Sequence, residues 1–265
     1  WVASALVFAN SACLMIVELV ASRMIAPRIG VSLHTWTAVI GVMLAGVSLG
    51  NYLGGRLADR HASTGLLGAV FCAGSLACLL TLWLNNDLHE LVPAVRIPLL
   101  VWVIGYIGGV FLLPSVALGM VSPIAVKLAL ISLEGVGRAM GRIYAASAAG
   151  SIVGTFAAGF WLIAWLGTKM AVLAVATLLL VLGIGSLARA GIASAASFWR
   201  RSVPRILLAV FLFAGGVALL QRTGYLRSEC LRETNYYCIN VTVSQAEGRE
   251  VHELVLDRLV HSYTD

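Results

Sequence analysis

Glu18 is an acid inside an apolar run, Met15-Ile16-Val17-Glu18-Leu19-Val20, and Arg23 follows five residues later. A carboxylate in hydrocarbon is costly unless it is neutral or paired. Two chemistries fit. One is a structural ion pair, with Arg23 snorkelling back toward it or with another helix; the other is a proton or cation site. A second charged group, Arg56, Asp59 and Arg60 in Gly55-Arg56-Leu57-Ala58-Asp59-Arg60, has the spacing of a short turn that caps two helices. Cys230 and Cys238 stand eight apart in a polar tail. In an oxidising compartment they would close a short loop, a constraint of roughly 2–3 kcal/mol; in a reducing one they would stay thiols. Cys13, Cys72 and Cys78 lie in apolar runs and read as small core residues. Neither set has zinc-ligand spacing, so no metal is expected.

The elements that must position these residues follow from composition. The chain has 265 residues, 60% hydrophobic and 11% charged, with a mean hydropathy of +0.94, which excludes an ordinary soluble enzyme. A helix needs about 20 apolar residues to cross a bilayer. Seven stretches qualify: about Val2–Ser22, Trp36–Gly55, Leu66–Leu84, Ile97–Val121, Ile143–Leu166, Met170–Ala188 and Pro204–Leu220. The fold expected is an all-α polytopic membrane bundle of about seven transmembrane helices over residues 1–221, followed by a small β-hairpin or meander in residues 222–265. Residues 122–133, with Pro123 and Lys127, follow the fourth stretch without a polar linker; they read as an interfacial or re-entrant helix, or as an eighth span.

Charge divides at the same point. Residues 1–221 hold 13 basic against 5 acidic side chains, and residues 222–265 hold 5 against 7. The excess belongs to the membrane part, where it reads as topology and headgroup contact rather than a nucleic-acid footprint. Nine basic residues follow the second, fourth and sixth stretches: Arg56, Arg60, Lys127, Arg138, Arg142, Arg189, Arg200, Arg201 and Arg205. Four, Arg23, Arg28, Arg96 and Lys169, follow the first, third and fifth. That bias places the N-terminus in the cytoplasm and, after seven spans, the tail outside it. Glycine stripes, Gly41, Gly46, Gly50 and Gly54 in the second stretch and Gly141, Gly150, Gly154 and Gly159 in the fifth, read as close helix packing or as the lining of a cavity or sliding surface.

In the tail the period changes to two. Tyr237, Ile239, Val241 and Val243 share one face of a half-buried strand, Gln245–Arg249 supplies a turn, Val251–Leu256 a second strand and Leu259-Val260 a third short piece. About 30 residues without a second layer cannot be stable alone. The chain opens on Trp1 and stops at Asp265 inside this pattern, so a piece of a longer protein is expected.

Glu233-Thr234-Asn235-Tyr236-Tyr237-Cys238-Ile239-Asn240-Val241 and Leu254-Val255-Leu256-Asp257-Arg258-Leu259-Val260-His261-Ser262 resemble the opening strands of the spermidine synthase (polyamine aminopropyltransferase) family, in the version fused behind a multi-span membrane domain. The Glu18/Arg23 spacing, Thr35-Trp36-Thr37, the turn at 55–60, Ser122-Pro123-Ile124 and Gly141-Arg142-Ile143-Tyr144-Ala145 resemble those fused proteins as well. In the family a Leu-Asp-Gly-x-x-Gln segment edges the site for decarboxylated S-adenosylmethionine. Here Leu256-Asp257 is kept, Arg258 replaces the Gly and His261 the Gln. The resemblance therefore implies Asp257 and His261 as substrate contacts, or a sheet histidine without that role. It places the catalytic Asp and the nucleotide loop in a following Rossmann-like domain that this chain lacks, so no catalysis and no bound cofactor are expected within it.

Three functions remain open: the membrane anchor or scaffold of a spermidine synthase-like protein, a non-catalytic subunit of a larger membrane complex, and a transporter-like bundle. The turn at 55–60 resembles half of the cytoplasmic signature of major-facilitator transporters, without its downstream Gly-Arg-Arg part. Expected partners are the lipid bilayer and other membrane subunits or a second copy, with no nucleic acid.

Overall fold

The computed structural model describes residues 2–91, 98–130, 136–191, 202–228, 230–234, 236–246, 249–257 and 259–264. Arg96, Arg200, Arg201, Asn235, Arg258, residues 131–133 and residues 247–248 of the expected turn lie outside them. Long apolar runs become long helices: α1 (Val2–Ile29), α2 (Leu33–His61), α3 (Thr64–Leu91), α4 (Leu99–Ala129), α5 (Val136–Ala157), α6 (Ile163–Gly191) and α7 (Val203–Arg222), with a π-helical turn at Ala158–Leu162 between α5 and α6. Their ends carry local signals. Gly30 takes φ 92 and its N–H bonds Ala26 O at 2.9 Å, which ends α1. Ser32 then caps α2, its hydroxyl accepting from Thr35 N at 3.2 Å, and Ser63 does the same for Leu66 N at 3.0 Å before α3.

Among the described residues six helices are long and apolar enough to cross a membrane. The fifth of them, Val136–Gly191, is 56 residues long, about 84 Å at 1.5 Å per residue, and joins α5 to α6. It is not straight: Gly167, with φ 75 and ψ 171, leaves the helical region in its middle. Only glycine takes that conformation readily. Residues 122–129 continue α4 without interruption, which corrects the reading of them as a separate interfacial or re-entrant helix. Pro114 and Pro123 sit inside α4, and Ser115 Oγ returns one hydrogen bond to Phe111 O at 2.7 Å.

α1 packs against α2, α4, α5 and α6 and supplies much of the core, with Val17, Val20 and Ile25 beside Phe71, Leu82, Ile107 and Phe111. Small residues set the closest approaches. A methyl group on Gly46 would lie 2.5 Å from Ser115 Cβ, one on Gly54 2.6 Å from Met120 O, and one on Gly68 2.8 Å from Gly183 O. Gly50 abuts the α4 backbone, and Gly150 and Gly154 abut that of α1 at Phe8 and Ala12. Gly41, Gly141 and Gly159 meet nothing within 4 Å, so each stripe is a packing seam over part of its length. Outer faces are apolar and exposed, as a lipid boundary requires: Trp165 is 81% and Phe211 74% exposed. Among the residues of α7 only Ala209 and Leu220 are buried, so this helix is peripheral, against α3 and α6.

The tail is a four-stranded antiparallel sheet in the order β1 (Arg232–Glu233), β2 (Cys238–Ala246), β3 (Arg249–Leu256), β4 (Leu259–Thr264). Val241 pairs with Leu254 and Ile239 with Leu256, and the β3–β4 ladder is irregular at Leu254/Val255. Val241 and Val243 are 50% and 59% exposed. The sequence predicts that face half-buried; at Val241 and Val243 it lies open, because no second layer among the described residues covers it there.

Candidate functional site

The break at Gly167 exposes helix-start N–H groups, and the tail meets them. Thr168 N donates to Glu233 Oε2 at 2.6 Å, and Ser228 Oγ donates to Glu233 Oε1 at 2.6 Å. A carboxylate at the start of the helical segment that resumes at Thr168 within α6 also meets the positive end of its dipole. Lys169, 7% exposed, donates to Arg227 O at 2.9 Å and reaches Asn86 Oδ1 at 3.4 Å. Arg28 bonds the backbone oxygen of Asn85 and, at 2.9 Å, Asn86 Oδ1. Tyr106 donates its hydroxyl to Asn85, and Tyr225 donates to Asp87 Oδ1 at 2.5 Å. The ends of α1 and α3, the starts of α4 and α6, and the segment after α7 thus share one polar layer.

Arg23 belongs to it. Its guanidinium donates to Tyr236 O at 2.5 Å and Thr234 O at 3.2 Å, holding the β1–β2 connection against α1. Glu18 is half-buried one turn earlier, and no hydrogen bond or ion pair joins it to Arg23. The expected Glu18–Arg23 pair is therefore not formed: backbone carbonyls of the tail take the guanidinium instead. Cys230 and Cys238 form a disulfide with Cα atoms 5.4 Å apart, closing the loop that carries Arg232, Glu233 and Thr234. Cys13, Cys72 and Cys78 are free and buried.

Beside this layer lies an open cleft of about 880 Å³ between the bundle and the sheet. Arg23, Trp36, Tyr236, Tyr237, Asp257 and His261 all line it, so three sequence-derived candidates converge there. The placement of Asp257 also has a local reason. With φ 54 it makes the β3–β4 turn, its Oδ1 accepts from Cys238 N at 2.9 Å, and its own N–H donates to Cys238 O at 2.9 Å. His261 is exposed on β4. The arrangement offers one cation, one carboxylate, one imidazole and three aromatic faces, enough to orient a polar ligand carrying charge.

On the opposite face residues 55–60, read from sequence as a turn, are instead the last helical turns of α2, which runs on to His61, and they close onto α4. Lys127 Nζ lies 2.9 Å from Asp59 Oδ1, Arg56 stacks over the Tyr52 ring at 4.8 Å, and Arg60 is exposed. Sequence marks neither Thr168 nor Tyr225, and it marks Lys169 only in the charge count and Glu233 only within the family-like segment. One signal was available: a lysine directly after Leu166-Gly167-Thr168, at the head of an apolar run, needs a partner. Comparison with protein-family models, curated proteins and solved structures finds no match.

Proposed function

We propose that the chain is a seven-crossing membrane anchor of a spermidine synthase-like protein, which holds a small β-platform on its extracytoplasmic face and performs no catalysis by itself. Dividing the 56-residue element at Gly167 supports seven crossings, since no single span uses about 84 Å of helix. Strict alternation then puts the ends of α1 and α3 and the start of α6 on one side with the tail, as their hydrogen bonds require. Arg56, Arg60, Lys127, Arg138, Arg142 and Arg189 gather on the other, the cytoplasmic side by the positive-inside rule.

The observation that carries the scaffold reading is the clamp on the sheet, Thr168 and Ser228 on Glu233 and Arg23 on the carbonyls of residues 234 and 236. A free tail needs no such anchoring. The uncovered face and the open edge of β4 suit the continuation of a sheet or the seating of a further domain. Asp257 and His261 at the cleft suit a contact with decarboxylated S-adenosylmethionine supplied from that domain's side.

Protease added to sealed, oriented vesicles tests the orientation and the clamp. Cleavage between residues 223 and 264 should occur from the extracytoplasmic side alone and accelerate in the Glu233→Gln variant. Cleavage from the cytoplasmic side would overturn the orientation, and an unchanged rate in the variant would overturn the clamp.

A further inference from the structure

On the face away from the sheet, a cleft of about 550 Å³ runs between α5 on one side and α2 and α4 on the other, floored by α1. Its mouth is the Asp59–Lys127 pair. Its floor is Asn10, 2% exposed, whose Nδ2 donates to Leu118 O at 3.0 Å. That bond fixes the amide and leaves Oδ1 buried without a partner among the described residues. Leu118 precedes Lys127 by nine residues on α4, so this acceptor lies about 13 Å along the helix axis from the charged mouth.

Other polar groups line the same depth. Ser11 Oγ and Ser147 Oγ are 2.8 Å apart across α1 and α5. Asn51 is exposed on α2, lines the cleft and has no hydrogen-bond partner among the described residues. Carboxamides left unsatisfied on an apolar helix are expensive in hydrocarbon, so something must supply their hydrogen bonds. The walls meanwhile are apolar: Val7, Leu14, Val47, Leu118 and Val126.

Charge narrows the ligand. The charged side chains of the lining, Asp59 and Lys127, neutralise one another at the mouth. A cation bound at the floor would lack a carboxylate there, and an anion would lack a base. Purely apolar molecules would leave Asn10 and Asn51 unsatisfied, and soluble polyols would waste the apolar walls.

We infer that this cleft binds a neutral amphiphile drawn from the bilayer, with hydroxyl donors on its head for Asn10 Oδ1 and Asn51 and a hydrocarbon body against the apolar walls. A glycerolipid with free hydroxyls has that chemistry. The exposed Asn51 of α2 and Tyr144 of α5, 62% exposed, line the open cleft and mark its lateral entry.

Native mass spectrometry on the full chain in detergent tests this with three probes: 1-monooleoylglycerol, methyl oleate and glycerol. One monooleoylglycerol should be retained per chain, at least tenfold more tightly than methyl oleate, which has the same hydrocarbon and no donor. Asn51→Leu should lower that retention about tenfold at unchanged helical content, because Asn51 has no partner among the described residues to lose. A photoreactive monoacylglycerol should label α2 and α5 in the unsubstituted protein, which provides a readout free of any variant. Equal retention of methyl oleate, retention indifferent to Asn51→Leu, labelling elsewhere, or glycerol binding as tightly as its acylated form would each overturn the inference.

Discussion

Thr168 N donates to Glu233 Oε2 at 2.6 Å, immediately after Gly167 has left the helix with φ 75 and ψ 171. The break in the 56-residue element and the docking of the tail are thus one feature, because an unbroken helix would spend that N–H on its own backbone. Gly167→Ala should destabilise the protein by about 1–3 kcal/mol, since a side chain there is strained whatever space surrounds it. Thermal unfolding in detergent would register the loss. Glu233→Gln, which keeps the shape and removes the charge at the helix start, should cost less, on the order of 1 kcal/mol. Equal stability of Gly167→Ala and the parent would mean that the helix runs straight through.

The disulfide makes a separate prediction. Cys230–Cys238 closes a loop just before β2, and in the chain-entropy picture such a loop adds roughly 2–3 kcal/mol to the local stability of the sheet. Maleimide should modify these two cysteines only after reduction, while the buried Cys13, Cys72 and Cys78 should react only after denaturation. Reduction should also speed cleavage within residues 230–246. Modification of Cys230 or Cys238 in untreated, folded protein would disprove the bridge.

Much of the architecture is legible in the sequence because hydropathy and period are local properties. The boundary between the fifth and sixth apolar stretches, read between Leu166 and Met170, falls on the Gly167 break. The strand residues Tyr237–Val243 alternate as a half-apolar sheet must, and the second strand read at Val251–Leu256 is present as part of β3. Partners across the fold are a different matter. Arg23 sits five residues from Glu18, yet it bonds carbonyls 211 and 213 residues away, and no periodicity encodes that choice. The same holds for Glu233, an ordinary exposed-looking acid in sequence that caps the helical segment resuming at Thr168 within α6. Pro123 misled in the opposite sense: it marks no break, because α4 carries it to Ala129 within one helix.

The glycine seam between α2 and α4 should separate neighbouring substitutions sharply. A Cβ on Gly50 would press into Val116 O and lie 2.9 Å from Gly119 Cα, where two backbones meet and neither can yield. Gly50→Ala should therefore destabilise by about 1–3 kcal/mol. Gly41 lies on the same helix with nothing within 4 Å, so Gly41→Ala should be neutral or stabilising by up to about 1 kcal/mol through helix propensity alone. Denaturation of the two variants side by side checks the seam; matching effects would show that α2 and α4 are not in backbone contact.

Arg23 and Glu18 should behave as independent residues. The Arg23 guanidinium holds two carbonyls of the β1–β2 connection, and hydrogen bonds from a charged donor are worth about 1.5–3 kcal/mol where water is excluded, less where, as at Tyr236 O, the bond is exposed. Arg23→Ala should accelerate amide hydrogen exchange in β1 and β2 by roughly tenfold or more while leaving the helices protected, and Arg23→Lys should recover part of it with a single ammonium in place of the fork. Glu18 holds no partner among the described residues, so Glu18→Gln should keep the yield of folded protein and leave exchange in the sheet unchanged. A double-mutant cycle between the two positions should then give a coupling near zero, well under 0.5 kcal/mol. A coupling of 1 kcal/mol or more would restore the ion pair that their spacing in sequence implies.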